Sequence, residues 1–222
     1  PAGEQVPIKG GLRLSGKMGT STNIGLLAMQ TEEVAGVSPS TRFAVARLRQ
    51  ELDGRSYIGM LVTDRNDGNA DHRTWAVDGR WGLGEKSTVS GFIARTQTPG
   101  ITKGTHAASL AAGYNSQVWS FSGSLTEVGA GFTPAVGFLA RQGYRAINLF
   151  GLRSIRAPES SGILEYRPHA SFTGYWDFDG FYETGRWHLD SSIEWKSGAD
   201  LSTAFIHHHE GVKTAFQISS GV

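Results

Sequence analysis

Three stretches of this chain gather side chains that could do chemistry. "DRNDGNAD" at 64–71 sets Asp64, Asn66, Asp67, Asn69 and Asp71 around Gly68, a row of oxygen donors of the kind calcium takes. The EF-hand pattern wants glycine at position six and glutamate at twelve; here glycine stands at five and Trp75 at twelve, so that motif fails. What remains is a looser surface calcium site or a solvated loop whose Asx side chains cap turns. "HHHEG" at 207–211 is the densest group of ligand types. On a strand His207 and His209 share a face and could share a metal, with Glu210 or His188 as third ligand; the alternative is a polar strand end entering an exterior loop. Asp177, Asp179, Glu183, Asp190 and Glu194 cluster around "DFDG". A glycosidase needs two carboxylates about 5–10 Å apart across a cleft, which one hairpin does not supply. Asp179-Gly180 reads as the turn itself. Ser109, Ser120 and the histidines have no nucleophile-elbow context, and no phosphate-cradling loop is present. The expectation is a protein that is not an enzyme, with no cofactor and no assigned metal site.

The charged groups that remain are Arg47, Arg49, Arg80 and Arg95 with Asp78, and their meaning depends on the elements that carry them. Period-2 alternation recurs along the chain while helical periodicity is nearly absent. In "WSFSGSLT" Trp119, Phe121, Gly123 and Leu125 alternate with Ser120, Ser122, Ser124 and Thr126. "IKGGLRLSGKM" puts Ile8, Leu12, Leu14 and Met18 on one face. Arg47 and Arg49 oppose Ala44, Ala46 and Leu48; Asp78 and Arg80 oppose Trp75, Val77, Trp81 and Leu83. Further alternating runs span 23–30, 56–63, 87–96, 106–115, 143–154, 162–177, 182–195 and 200–208, giving about twelve strands by this criterion.

The connections sort by parity. "GTST", "LDG", "LGE" and "YNS" are short; "TEEVAGVSPS", "DRNDGNADH", "TQTPGITKG" and "EVGAGFTPAVGFLARQG" are long, and the two kinds alternate over the first eight strands. A β-sandwich has no reason to sort its loops this way. An antiparallel up-and-down barrel of outer-membrane type does, with tight inner turns and long outer loops. "DFDG" interrupts the rhythm with a tight turn where a long one is due. Trp187 and Trp195 share parity; eight residues tilted by ~45° rise roughly 19 Å, close to an apolar band flanked by aromatic girdles. Trp75, Trp81 and Trp119 are expected in the same girdles. On this reading Arg47, Arg49, Asp78, Arg80 and Arg95 line an aqueous lumen, either as a constriction that selects solutes or as an ion-pair brace.

Composition bounds the partners. The 222 residues include 21 basic and 20 acidic side chains, a net charge of +1 that gives no support to nucleic-acid binding. There is no cysteine, which excludes disulfides and thiolate sites. Glycine stands at 30, suiting many turns and closely packed strands. No run approaches the ~18 apolar residues of a spanning helix.

Four segments carry a family resemblance: "GAGFTPAVGFLAR" (129–141), "GLRLSGKMGTSTNIGLLAMQT" (11–31), "RFAVARLRQEL" (42–52) and "YWDFDG" (175–180). In this order they resemble a family of bacterial envelope proteins that join an N-terminal family-nine-type carbohydrate-binding domain to a C-terminal β-barrel region of unknown function. The resemblance implies that residues 1–222 are one inner section of the barrel, truncated at both ends, with the carbohydrate-binding domain upstream. It implies an outer-membrane location, outer-membrane lipid as partner with oligosaccharide as a second, and a role as solute passage or membrane anchor in surface carbohydrate handling. The rival expectation is a soluble secreted all-β glycan-binding protein, or an accessory domain of a glycoside hydrolase, with Trp119 and Trp187 as sugar-stacking platforms.

Overall fold

The computed structural model describes residues 5–214; Pro1 and the terminal "SSGV" lie outside them. The strands are β1 (Ile8–Met18), β2 (Thr22–Thr31), β3 (Arg42–Leu52), β4 (Ser56–Asn66), β5 (Asp71–Leu83), β6 (Ser87–Gln97), β7 (His106–Asn115), β8 (Trp119–Val128), β9 (Tyr144–Arg153), the two-residue β10 (Ile155–Arg156), β11 (Ile163–Trp176), β12 (Tyr182–Trp195) and β13 (Asp200–Glu210). They form one antiparallel up-and-down sheet in chain order, with β10 appended to β11. Among the described residues the sheet is not closed into a barrel: β1 and β13 are its ends. The only helix among those residues is the short 3-10 turn Glu159–Ser161, and no helix is long and apolar enough to cross a membrane.

Two units can be distinguished. The first runs up to Ala112 and resumes over Thr126–Gly143; the second takes Gly113–Leu125 and the chain from Tyr144 onward.

In the first unit the register is regular from β1 to β6, so directly opposed residues share a face. One row reads Gly16, Ile24, Leu48, Met60, Val77, Ile93; the next reads Leu14, Leu26, Ala46, Val62, Trp75, Arg95. The other face carries the row Lys17, Asn23, Arg49, Gly59, Asp78, Phe92. The three-residue turns 19–21, 53–55 and 84–86 each hold a glycine at positive φ (Gly19, Gly54, Gly84), which a tight hairpin needs. Connections 32–41, 67–70 and 98–105 alternate with them. The expected long loop at 64–72 is a correction: β4 and β5 run on into it, leaving only the turn 67–70. Asx side chains close that turn without further chain. A second correction concerns Ile8. A bulge between Ile8 and Gly10 sets Ile8 opposite Thr31, off the Leu12–Met18 face.

The segment after β8 folds back on the β6–β7 connection. Gly131 N–H donates to the Gly104 carbonyl (3.0 Å), Thr133 N–H to the Thr96 hydroxyl (3.2 Å), and the Gln142 amide to the Phe132 carbonyl (2.6 Å). Gly129 and Gly131 pass so close to the Gly104 and Lys103 carbonyls that a Cβ would collide with either. Val128 and Phe132 are buried there, and Ala107 at the start of β7 is buried as well.

In the second unit β11 and β12 form a long hairpin with β9 on one side and β13 on the other. Leu149, Phe172, Trp187 and His207 lie in one row, and Gly151, Ala170, Leu189 and Phe205 in the next. The opposite face carries Leu152, His169, Asp190 and Ala204 in one row and Phe150, Ser171, His188 and Ile206 in another.

Candidate functional site

The two faces differ in an unusual sense: threonines of the polar face are covered while hydrocarbon on the other is bare. Met60, Ile93 and Phe205 are 55%, 66% and 63% exposed, whereas Thr63 and Thr96 on the polar face are 5% and 2% exposed. Side-chain chemistry therefore concentrates on the polar face of each unit.

In the first unit Arg47 reaches diagonally from β3 across β4 to Asp78 on β5. Nη2 donates to Oδ2 at 2.8 Å, and Nη1 donates to Oδ1, a two-pronged guanidinium–carboxylate pair. The strand between them permits this only because position 59 is glycine: a Cβ there would stand 2.5 Å from Nη2 and 2.9 Å from Cζ. Arg49 turns away and lies 3.9 Å over the Tyr57 ring. At the β1–β2 turn end, Glu51 accepts from Lys17 Nζ (2.8 Å) and Asn23 Nδ2 (2.9 Å). Arg80 shares this face opposite Tyr57. Arg47, Arg49, Asp78 and Arg80 are thus brought together as the alternation suggests. Arg95 is not: it opposes Trp75 on the apolar face. Its charge suggested the polar side, but parity from Ile93 puts it on the other, near the strand end where a long side chain can reach water.

Trp75 and Trp81 share the apolar face of β5, and Trp187 and Trp195 that of β12; Trp119 opens β8 and stacks on Phe121 at 5.2 Å. Phe172 and Trp187 pack cross-strand at 4.4 Å, and Tyr182 stacks on His209 at 4.4 Å. Gly174 and Gly185, directly opposed, form a floor for these rings; a Cβ on either would collide with Trp176 or Tyr182.

The acidic groups of the turns serve the backbone. Asp67 Oδ1 accepts from the N–H groups of Asn69 (3.0 Å) and Ala70 (2.9 Å), which hold its carboxyl below the usual range, with Arg65 and His72 adding. Asn66 caps Gly68 and bonds Asp71, and Arg73 donates to Asp64 at 2.7 Å. Among the described residues, Asp64, Asp67 and Asp71 do not form a carboxylate group close enough to share an ion. Asp177 is held low first by Lys213, then by the N–H groups of Phe181 and Asp179. It caps the "DFDG" turn, while Asp190 lies well down β12.

The histidines rearrange most. His207 and His209 do share a face, but it is the apolar one; Glu210 and His188 are on the other. His188 instead joins Asp190 and His169. Their ligand atoms all lie within 4.8 Å of one another. Sequence reading missed this group because His169 is on another strand. Reflection about the 179–180 turn would have found it, since His169 then falls opposite Asp190.

Compared with known proteins, this chain matches no family model, no curated protein and no solved structure.

Proposed function

We propose that this chain is a segment of an outer-membrane β-barrel, without catalytic activity of its own, whose apolar face meets lipid and whose polar face borders an aqueous interior. The observation that carries the reading is the inverted burial. Rows of Leu, Met, Ile and Trp stand bare across hydrogen-bonded strands, and the Arg47–Asp78 and Lys17–Glu51 pairs are on the other side, where Thr63 and Thr96 are covered. The accessible surface of 14757 Å² compares with roughly 9,900 Å² for a water-soluble monomer of this mass. Strands of 10–14 residues match the ~9–11 that a tilted crossing needs. Closure would come from strands outside the described residues or from further chains.

The resemblance in the four sequence segments adds a link to surface glycan handling, as a solute passage or an anchor. Fractionation tests the reading. The expected result is recovery from the outer membrane with heat-modifiable migration in detergent gels; a folded monomer in aqueous extract contradicts it. Planar-bilayer conductance then separates passage from anchor.

A second reading has one observation in its favour: Trp119 and Phe121 form an exposed stacked pair with the Arg153 guanidinium 5.0 Å above the Trp119 ring. Such a platform suits a sugar ring in a soluble glycan-binding protein. Quenching of tryptophan fluorescence by an oligosaccharide, lost in Trp119→Ala, would favour it.

A further inference from the structure

His169, His188 and Asp190 converge on the polar face of β11 and β12, in the middle of strands whose backbone is fixed by pairing on both sides. His169 is directly opposite Asp190, and His188 is two residues from Asp190 on the same strand, so all three project to one side. The Asp190 carboxylate faces the two rings with different oxygens: Oδ1 stands 3.9 Å from His169 Nδ1 and Oδ2 3.7 Å from His188 Nε2. Both separations are too long for hydrogen bonds. With one ligand atom from each residue the three lie within 4.8 Å of one another, wider than the ~3.3 Å edge of a tetrahedron with ligands at about 2.0–2.1 Å, so an ion at the centre would draw the groups together.

The surroundings fix the rings and limit water. The side chains of His169, His188 and Asp190 are 22%, 18% and 16% exposed. The two imidazoles meet edge to face at 5.1 Å, and the Phe150 ring stands 5.8 Å from His169. None of the three side chains has a hydrogen-bond partner among the described residues. Ligand-competent groups that are mostly removed from water and face one another without bonding are costly unless something joins them.

We propose that these residues bind a divalent first-row transition ion of the zinc class. Two imidazole nitrogens argue against calcium and magnesium, which take oxygen shells. Imidazole with one carboxylate suits zinc and its neighbours. Three protein ligands leave a coordination position for water or for an oxygen of an arriving solute, so the site is open rather than structural. The proposal rests on the register of β11 and β12 and is independent of whether the apolar face meets lipid.

The test is competition between the purified folded protein and a chromophoric zinc chelator near neutral pH, with magnesium in excess. The expected result is a single zinc per chain, with affinity reduced about 100-fold or more in His169→Ala and His188→Ala. The nearly isosteric Asp190→Asn, which keeps the packing if an alanine variant does not fold, should lose affinity in the same direction. His207→Gln/His209→Gln, on the opposite face, should bind zinc as the wild type does. No uptake by the folded wild type overturns the proposal. So does uptake unchanged in His169→Ala and His188→Ala, or uptake lost in the His207/His209 variant, which would place the metal on the histidine run.

Discussion

On β3–β5, Arg47 meets Asp78 through two parallel N–H···O bonds; on β11–β12, Asp190 stands 3.7 and 3.9 Å from two imidazole nitrogens and bonds to neither. The two regions have the same construction: ionisable side chains on the polar face of an antiparallel sheet, with bare hydrocarbon behind. They differ in compensation. Gly59 opens a path that lets the guanidinium cross a whole strand, so the first pair neutralises itself and braces three strands. The second group holds two imidazoles and a carboxylate that stand unbonded to one another. Where the chain supplies both partners the polar face is structural; where it supplies one sign of ligand, the face is prepared for something that arrives.

The largest effect is expected at the brace. Gly59→Val puts carbon where the guanidinium lies and should cost about 3 kcal/mol, read as a shift in the urea midpoint. If stability is unchanged, the diagonal contact does not hold these strands. Next comes the other region. Zinc at about a hundredfold over its dissociation constant should stabilise the wild type by about 2.7 kcal/mol and His188→Ala by about 0.4 kcal/mol at most. Asp78→Ala, which leaves Arg47 without its partner, should cost about 2 kcal/mol, because the pair is partly screened from water. Asp190→Ala without metal should change stability by less than about 0.5 kcal/mol. A loss there equal to that of Asp78→Ala would erase the contrast between the two regions.

The smallest effect is confined to the "DFDG" hairpin. Asp177 is held below the ordinary carboxylate range, so its stabilising contribution is complete above the unfolded pKa of ~4 and is lost as pH falls through the folded value. Lys213 is raised by the same contact, so its share is complete below the ordinary lysine pKa and is lost as pH rises through the folded value. Hydrogen exchange at the Phe181 N–H, which Asp177 accepts at 2.9 Å, should therefore quicken at the acid limit and again at the alkaline one, with protection flat between. Asp177→Asn should remove the acid limb.

Much of the fold could be read from the chain. Alternation located every long strand because a period of two survives wherever one face differs from the other in polarity, as Leu48 and Met60 differ from Arg47 and Thr63. Single residues defeated it. The bulge at Ile8 shifts the parity of one position and leaves no compositional mark. Arg95 was placed by charge, although a side chain at a strand end can sit on the apolar face and still reach water. The 64–72 loop looked long because polar residues in β4 and β5 resemble loop residues. The histidine group was hidden because its members lie on two strands, and only the hairpin's register joins them. Gly59 could not be distinguished from the other glycines, since its role appears only when the Arg47 side chain is followed over it.

The account depends most on what the apolar face touches. Its direct test is tryptophan quenching in vesicles whose lipids carry bromine at mid-chain, using variants that retain only Trp75 or only Trp187. The expected result is strong quenching of both, since each stands on the bare face of its strand. Emission unaffected by bromine, from protein that stays folded and monomeric in aqueous buffer, would contradict the account.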